Sequence, residues 1–158
     1  DVLNGNAELG VIAFPEPKRG LKIVQMPPNK LVVICPPDHK FAKRASLKAK
    51  DLAGQDFVHF ERDTPTRKAI DKILRTKGVD VTKVAEFDNI ETIKRAVEVG
   101  FGIAIMPLPS VLDEQRLGTL AVVELSEKEW VRPVGVLYRT DRTLSLAAKK
   151  FVQILENK

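Results

Sequence analysis

Two short strings, Asp63-Thr64-Pro65-Thr66-Arg67 and Asp88-Asn89-Ile90-Glu91, carry the residue types best suited to holding a small anion or polar ligand. In the first, Thr64 is placed to cap a helix, Pro65 takes the first helical position and Arg67 falls within the first turn. The hydroxyls of Thr64 and Thr66 and the first-turn amides can donate to a carboxylate, and Arg67 can pair with it bidentately. In the second, a cap at Asp88 and a carboxylate at Glu91 form a capping-box-like pair, which puts Asn89 and Ile90 where a loop enters a helix. Each string also has a plain structural reading. Thr64 then only caps, Thr66 is solvated, Arg67 belongs to the surface, and Asn89 with Ile90 form a capping turn.

Other residues that invite chemistry lack the partners it needs. His59 lies in an apolar strand and fits a packed core histidine better than a ligand, while His39 sits in a charged turn. Two histidines far apart and a single cysteine give no zinc-ligand spacing, and Cys35, in a buried strand, should be inert. Ser110 and Ser145 have no nucleophile-elbow context, and Glu61 with Asp63 lacks a partner pattern for acid and base work. The expectation is therefore a protein that is not an enzyme, with no metal and no cofactor.

The elements that must position the two strings alternate between Phe57 and Pro107: strand, capped helix, strand, capped helix, strand. The strands are Phe57 to Phe60, Val84 to Phe87 and Ile103 to Met106. The helix from about Pro65 to Lys77 puts Ala69, Ile70, Ile73 and Leu74 on one stripe, and the helix from about Ile90 to Val99 buries Ile90, Ile93, Ala96 and Val97. Such alternation predicts a mainly parallel sheet with right-handed crossovers, and ligands of such sheets bind where helices start at strand ends. Leu31 to Cys35, between proline pairs, fits a strand covered on both faces, and Ser46 is placed to cap a short helix through Leu52. Leu9 to Phe14, Leu120 to Val123 and Val134 to Tyr138 read as further strands. A helix from about Leu144 to Glu156 presents Leu144, Ala148, Phe151, Val152 and Leu155.

The chain has 158 residues, 44% hydrophobic and 30% charged, enough for one packed domain or two small lobes. Its 26 Lys and Arg against 21 Asp and Glu give +5 and a pI near 9.4. These charges are scattered and interleaved with acids, which fits a solvated surface better than a nucleic-acid interface. No window approaches a membrane span and no secretory signal is visible, and the lone cysteine favours a reducing, cytoplasmic setting. Asp1 to Asn6 resemble the last turn of a helix closed by glycine, so the expectation is a piece of a longer protein.

The order of these elements, with several strings, resembles the effector-binding domain of LysR-type transcriptional regulators. The likeness begins at Asn4-Gly5-Asn6-Ala7-Glu8-Leu9-Gly10 and continues through Val33 to Phe41, where Lys40 stands in place of the proline that members often carry. It includes Leu47 to Gly54 and is strongest from 86 to 107, with Gly100-Phe101-Gly102 and Ile105-Met106-Pro107. The resemblance implies an α/β fold of two Rossmann-like lobes, of the type II periplasmic-binding-protein architecture, with the first lobe incomplete on its N-terminal side. Residues 1–24 would belong to the first lobe, 25–107 would form the second, and 108–158 would return to the first.

The resemblance also implies a small, anionic effector between the lobes, contacted by Thr64, Thr66, Arg67, Asn89, Ile90, Phe14, Pro15 and Phe101. Phe14 and Pro15, with Met106 and Pro107, would act as hinge, and Gly100 with Gly102 would serve conformation. A homodimer or tetramer would form through the full-length protein, with DNA bound only by a helix-turn-helix domain outside this chain, and with no membrane partner. The alternative is a transporter's solute-binding protein, which shares the fold.

Overall fold

The structure, a computed structural model, describes residues 1–156. By contacts the chain divides into two units, residues 1–28 with 132–158, and residues 29–131.

In the first unit, β1 (Leu9–Ala13) pairs antiparallel with β8 (Val131–Arg139), from Leu9 opposite Tyr138 to Ala13 opposite Val134. The first half of β2 (Leu21–Cys35) lies on the other side of β8. Val24, Val134, Val136 and Leu137 are buried there with Ala148 and Val152 of α4 (Leu146–Glu156). The helix starts two residues later than the apolar pattern predicts. Ser145 caps it, its hydroxyl accepting from the Ala148 amide at 3.2 Å while its own amide and hydroxyl donate to Glu8 at 2.7 and 2.9 Å. Phe151, expected on the apolar face, is exposed.

The second unit is built on the last five residues of β2, all fully or nearly buried. β2 pairs antiparallel with β6 (Ala104–Pro107) on one side and with β7 (Ala121–Leu125) on the other. The short β3 (Ser46–Leu47) runs parallel to β7, so Ser46 lies in a strand and does not cap the turn that follows. The 3-10 turn at Ala49–Leu52 is closed instead by Asp51, whose carboxylate accepts from the Lys48 amide at 2.7 Å. The predicted parallel arrangement holds for β4 (Asp56–Phe60), β5 (Thr82–Phe87) and the Phe57–Ile103 bridge. β2 precedes that alternation and pairs antiparallel, as strands not joined by a crossover can.

Two helices cross between these strands. α1 (Pro65–Thr76) buries Ile70 and Leu74, and Gly78 closes it at φ 64°. There the Val79 amide returns to the Leu74 carbonyl at 2.9 Å. α2 (Ile90–Glu98) buries Ile93, Ala96 and Val97. After it, Gly102 passes so close to β4 that a Cβ would sit 2.5 Å from the Asp56 carbonyl oxygen. A six-residue helix, α3 (Leu112–Leu117), follows a 3-10 turn at Leu108–Ser110 and has no counterpart in the sequence reading. Lys94 of α2 holds it, donating to Glu114 at 2.7 Å and to the Ser110 carbonyl at 3.4 Å.

Candidate functional site

β4 and β5 run in the same direction and end side by side, with Phe60 opposite Phe87. The chain beyond each enters a helix within a few residues, so α1 and α2 both start at the carboxyl end of one parallel pair. In open α/β sheets this is where ligands bind. The loop after β4 is stitched to β5: the Glu61 amide donates to the Phe87 carbonyl at 3.0 Å and the Arg62 amide to Glu86 at 3.3 Å.

Thr64 caps α1 as expected, accepting from the Arg67 amide at 3.2 Å. Its hydroxyl proton goes to the Glu61 carbonyl at 2.9 Å, so this side chain has no donor left for an anion. Thr66, in the first turn, is only 7% exposed. Arg67 is buried to the same degree, contrary to a surface role, and its guanidinium is already engaged. Its Nε donates to both oxygens of Asp71, at 2.7 and 2.8 Å, and Nη1 donates to the Phe60 carbonyl at 2.9 Å and to Glu86 at 3.2 Å. Burial alone would raise the Glu86 carboxyl, but hydrogen bonds from Lys83, the Arg62 amide and Arg67 outweigh it and hold the group below its ordinary range.

At α2 the cap is Asn89, not Asp88. Asn89 Oδ1 accepts from the Thr92 amide at 2.8 Å, and Asp88 instead accepts from the Asn89 side-chain amide at 3.3 Å. Ile90, half-buried, is the first helical residue. Its amide and that of Glu91 belong to the group a helix cannot satisfy internally.

Five of the expected contact residues, Thr64, Thr66, Arg67, Asn89 and Ile90, thus gather at one end of β4 and β5. Phe101 does not join them. It is 59% exposed and lies just before the Ile103–Phe57 bridge, at the amino end of β4, a strand length of roughly 13 Å away. Phe14 and Pro15 lie in the first unit at the end of β1, where the Phe14 amide donates to the Pro133 carbonyl at 2.8 Å. Phe14 has φ 51°, the one positive value of a residue other than glycine among those described. Such outliers concentrate at functional sites and at turns that over-determine them.

Met106 and Pro107 lie opposite Val32 and Leu31 inside the second unit, and Phe14 with Pro15 lie inside the first. The chain passes between units at 28/29 and 131/132, so residues 108–131, expected in the return, belong with the second unit. β7, hydrogen-bonded to β2 and β3, holds them there. β2 itself continues through Pro27 and Pro28.

His59 is 5% exposed, stacked on Phe57 at 5.3 Å between ring centroids, and pushed down to about 4 by burial and by the Arg67 charge. Burial pushes the Cys35 thiol up to about 11, with the Asp38 charge adding to it. Among the described residues no group of three His, Cys, Asp or Glu is arranged to hold a metal ion, and no helix is long and apolar enough to cross a membrane.

The sequence matches the family described as LysR substrate binding domain over residues 1–158. It is 30% identical over 162 residues to a "Probable RuBisCO transcriptional regulator" of Cyanidioschyzon merolae, covering 99% of this chain and 54% of that protein. It is 31% identical over 157 residues to the protein of the same name from Cyanophora paradoxa, covering 96% and 48%. The chain spans about half the length of the curated relatives it matches. Among solved structures, the CcmR regulatory domain of Synechocystis in complex with 2-PG superposes with a TM-score of 0.85 at 24% identity, covering 99% of this chain and 75% of that one. The effector-binding domain of QuiR in complex with shikimate gives 0.84 at 19% identity, covering 99% and 76%. These two likenesses establish the fold, the type II periplasmic-binding-protein architecture.

Proposed function

This chain belongs to the LysR substrate-binding domain family, and from that premise we propose that it senses a small organic anion and relays the binding event to the DNA-binding part of a transcriptional regulator. The observation that carries the proposal is that α1 and α2 both start at the carboxyl end of the parallel pair β4 and β5. There the first-turn amides at Ile90 and Glu91 supply uncharged donors, which suit a carboxylate or phosphate at a positive helix end, and Thr66 stands in the first turn of α1. Relatives that carry regulator names favour this reading over a transporter's solute-binding protein. No catalytic step is part of it, and neither oligomer formation nor DNA contact is assigned to particular residues of this chain.

The class of effector follows from the donors. A site lined by helix-start amides, with the nearby guanidinium of Arg67 neutralised, favours a compact anion with several acceptor oxygens. Because the CcmR domain was solved with 2-PG, 2-phosphoglycolate is the first probe. A ligand shifts such a switch only by its differential affinity for the two states, so a bound anion must change the relation of the units to act.

The test is a thermal-shift and calorimetric screen of small organic and inorganic anions, 2-phosphoglycolate and shikimate among them, with Thr66→Ala as control. Binding of at least one anion that weakens about tenfold in the variant, or 1.4 kcal/mol, is expected. An unchanged response in Thr66→Ala removes that threonine from the site.

A further inference from the structure

We propose that Arg67 is a positioning residue of this site: its guanidinium fastens α1 to the carboxyl ends of β4 and β5, so that the two helix starts form one rigid donor surface, and it does not touch the effector. The inference rests on the proposed function in one respect only, that the helix starts are where the anion binds.

Three elements converge on this side chain. Asp71 is one turn further along α1, Phe60 is the last residue of β4, and Glu86 comes from β5. Glu86 also accepts from the Arg62 amide and from Lys83 at 3.3 Å each, so one carboxylate links the loop after β4 to the strand beside it. The Glu61 amide on Phe87 and the Thr64 hydroxyl on Glu61 complete the stitching. Glu61, Arg62 and Thr64, between Phe60 and α1, are therefore each tied to β5, to one another or to Arg67 by hydrogen bonds.

Charge and shape both argue against direct contact. Within these ion pairs Arg67 meets Asp71 and Glu86, and Lys83 meets Glu86, so the Arg67 guanidinium has its counter-charges before any ligand arrives. To clamp an anion, the guanidinium, whose side chain is only 8% exposed, would have to give up its bonds to Asp71 or to Glu86. A planar fork that reaches three acceptors at once is also what a lysine cannot supply.

The two roles predict opposite signs for one substitution. Glu86→Gln releases part of the guanidinium but weakens the tie to β5. Arg67→Met, Arg67→Lys, Glu86→Gln and the Arg67→Met/Glu86→Gln pair would be compared well below their unfolding temperatures by hydrogen exchange without ligand and by titration with 2-phosphoglycolate. In the ligand-free proteins, Arg67→Met and Glu86→Gln should each speed exchange at residues 61–68 by about tenfold or more, while Val32 to Cys35 stay unchanged. Both should weaken 2-phosphoglycolate binding, the pair no more than the worse single change, and Arg67→Lys should fail to restore it.

Tighter binding in Glu86→Gln beside weaker binding in Arg67→Met would overturn the inference in favour of direct contact. So would unchanged exchange at residues 61–68. If the unsubstituted protein binds neither 2-phosphoglycolate nor any other anion, the binding reading fails while the exchange measurement still decides the positioning role.

Discussion

At the scale of single residues, His59 shows how a group with obvious chemical potential serves the fold. It is neutral, buried on Phe57 and beside the Arg67 network, and its folded-state value of about 4 lies below the ordinary 6.5. The unfolded chain therefore binds more protons than the folded one between those values. Its contribution to stability is complete above about 6.5 and is lost progressively as pH falls toward 4, at up to ~1.4 kcal/mol per pH unit. Urea midpoints measured from pH 7 to pH 5 should fall with pH in the native sequence and fall less in His59→Leu; equal slopes would assign the effect elsewhere. The core role of His59 is legible from its apolar neighbours alone. The fate of Arg67 is not. Asp71, four residues on, is a visible helical partner, but Glu86 and the Phe60 carbonyl become partners only once β4 and β5 pair. The same holds for Thr64, whose capping is plain in the sequence while the second bond of its hydroxyl, to Glu61, depends on the turn.

At the scale of elements, helix starts divide the legible from the illegible. Thr64-Pro65 marks the start of α1 without ambiguity because proline admits one position. Asp88-Asn89 offers two good caps in succession, and only the backbone decides: Asn89 is extended, at φ −124° and ψ 150°, and its oxygen reaches the Thr92 amide. Asn89→Ala should thus cost about 1 kcal/mol in urea unfolding and Asp88→Ala a few tenths. The reverse order would return the cap to Asp88. α3 was invisible for a different reason. Six residues with two acids and no capping side chain cannot nucleate alone. It is tied to α2 by Lys94, which is buried and also pairs with Glu91 at 2.8 Å. Lys94→Met should cost about 2 to 3 kcal/mol by leaving Glu114 in a mostly covered position without its cation, and Glu114→Gln should recover part of that loss in the double variant. Full additivity of the two changes in urea denaturation would show that the pair does not hold α3.

At the scale of the whole chain, the two units differ in how much apolar surface each buries. The largest fully buried side chains, Phe57, Leu31, Ile34, Leu47, Leu52 and Ile93 among them, all belong to residues 29–131. The other unit buries valines, Leu137 and Ala148, while Leu3, Val11, Leu146, Phe151 and Ile154 remain exposed. Alternation of strands and helices made the larger unit readable, because α1 packs on β4 and α2 on β4 and β5. The assignment of β7 was not readable, since Leu120 to Val123 is apolar enough to pair with any strand and only the register with β2 settles it. Stabilisation scales with apolar area removed from water, so opening free energies should follow the same asymmetry. Native-state hydrogen exchange should show amides of β1 and β8 opening at lower free energy than those of β2 at Val32 to Cys35, β6 and β7. An anion that binds at the starts of α1 and α2 should raise protection at residues 61–68 and 89–92 first. Equal opening energies in both units would mean that the smaller core is not the weaker one, and that burial within a unit does not set its stability.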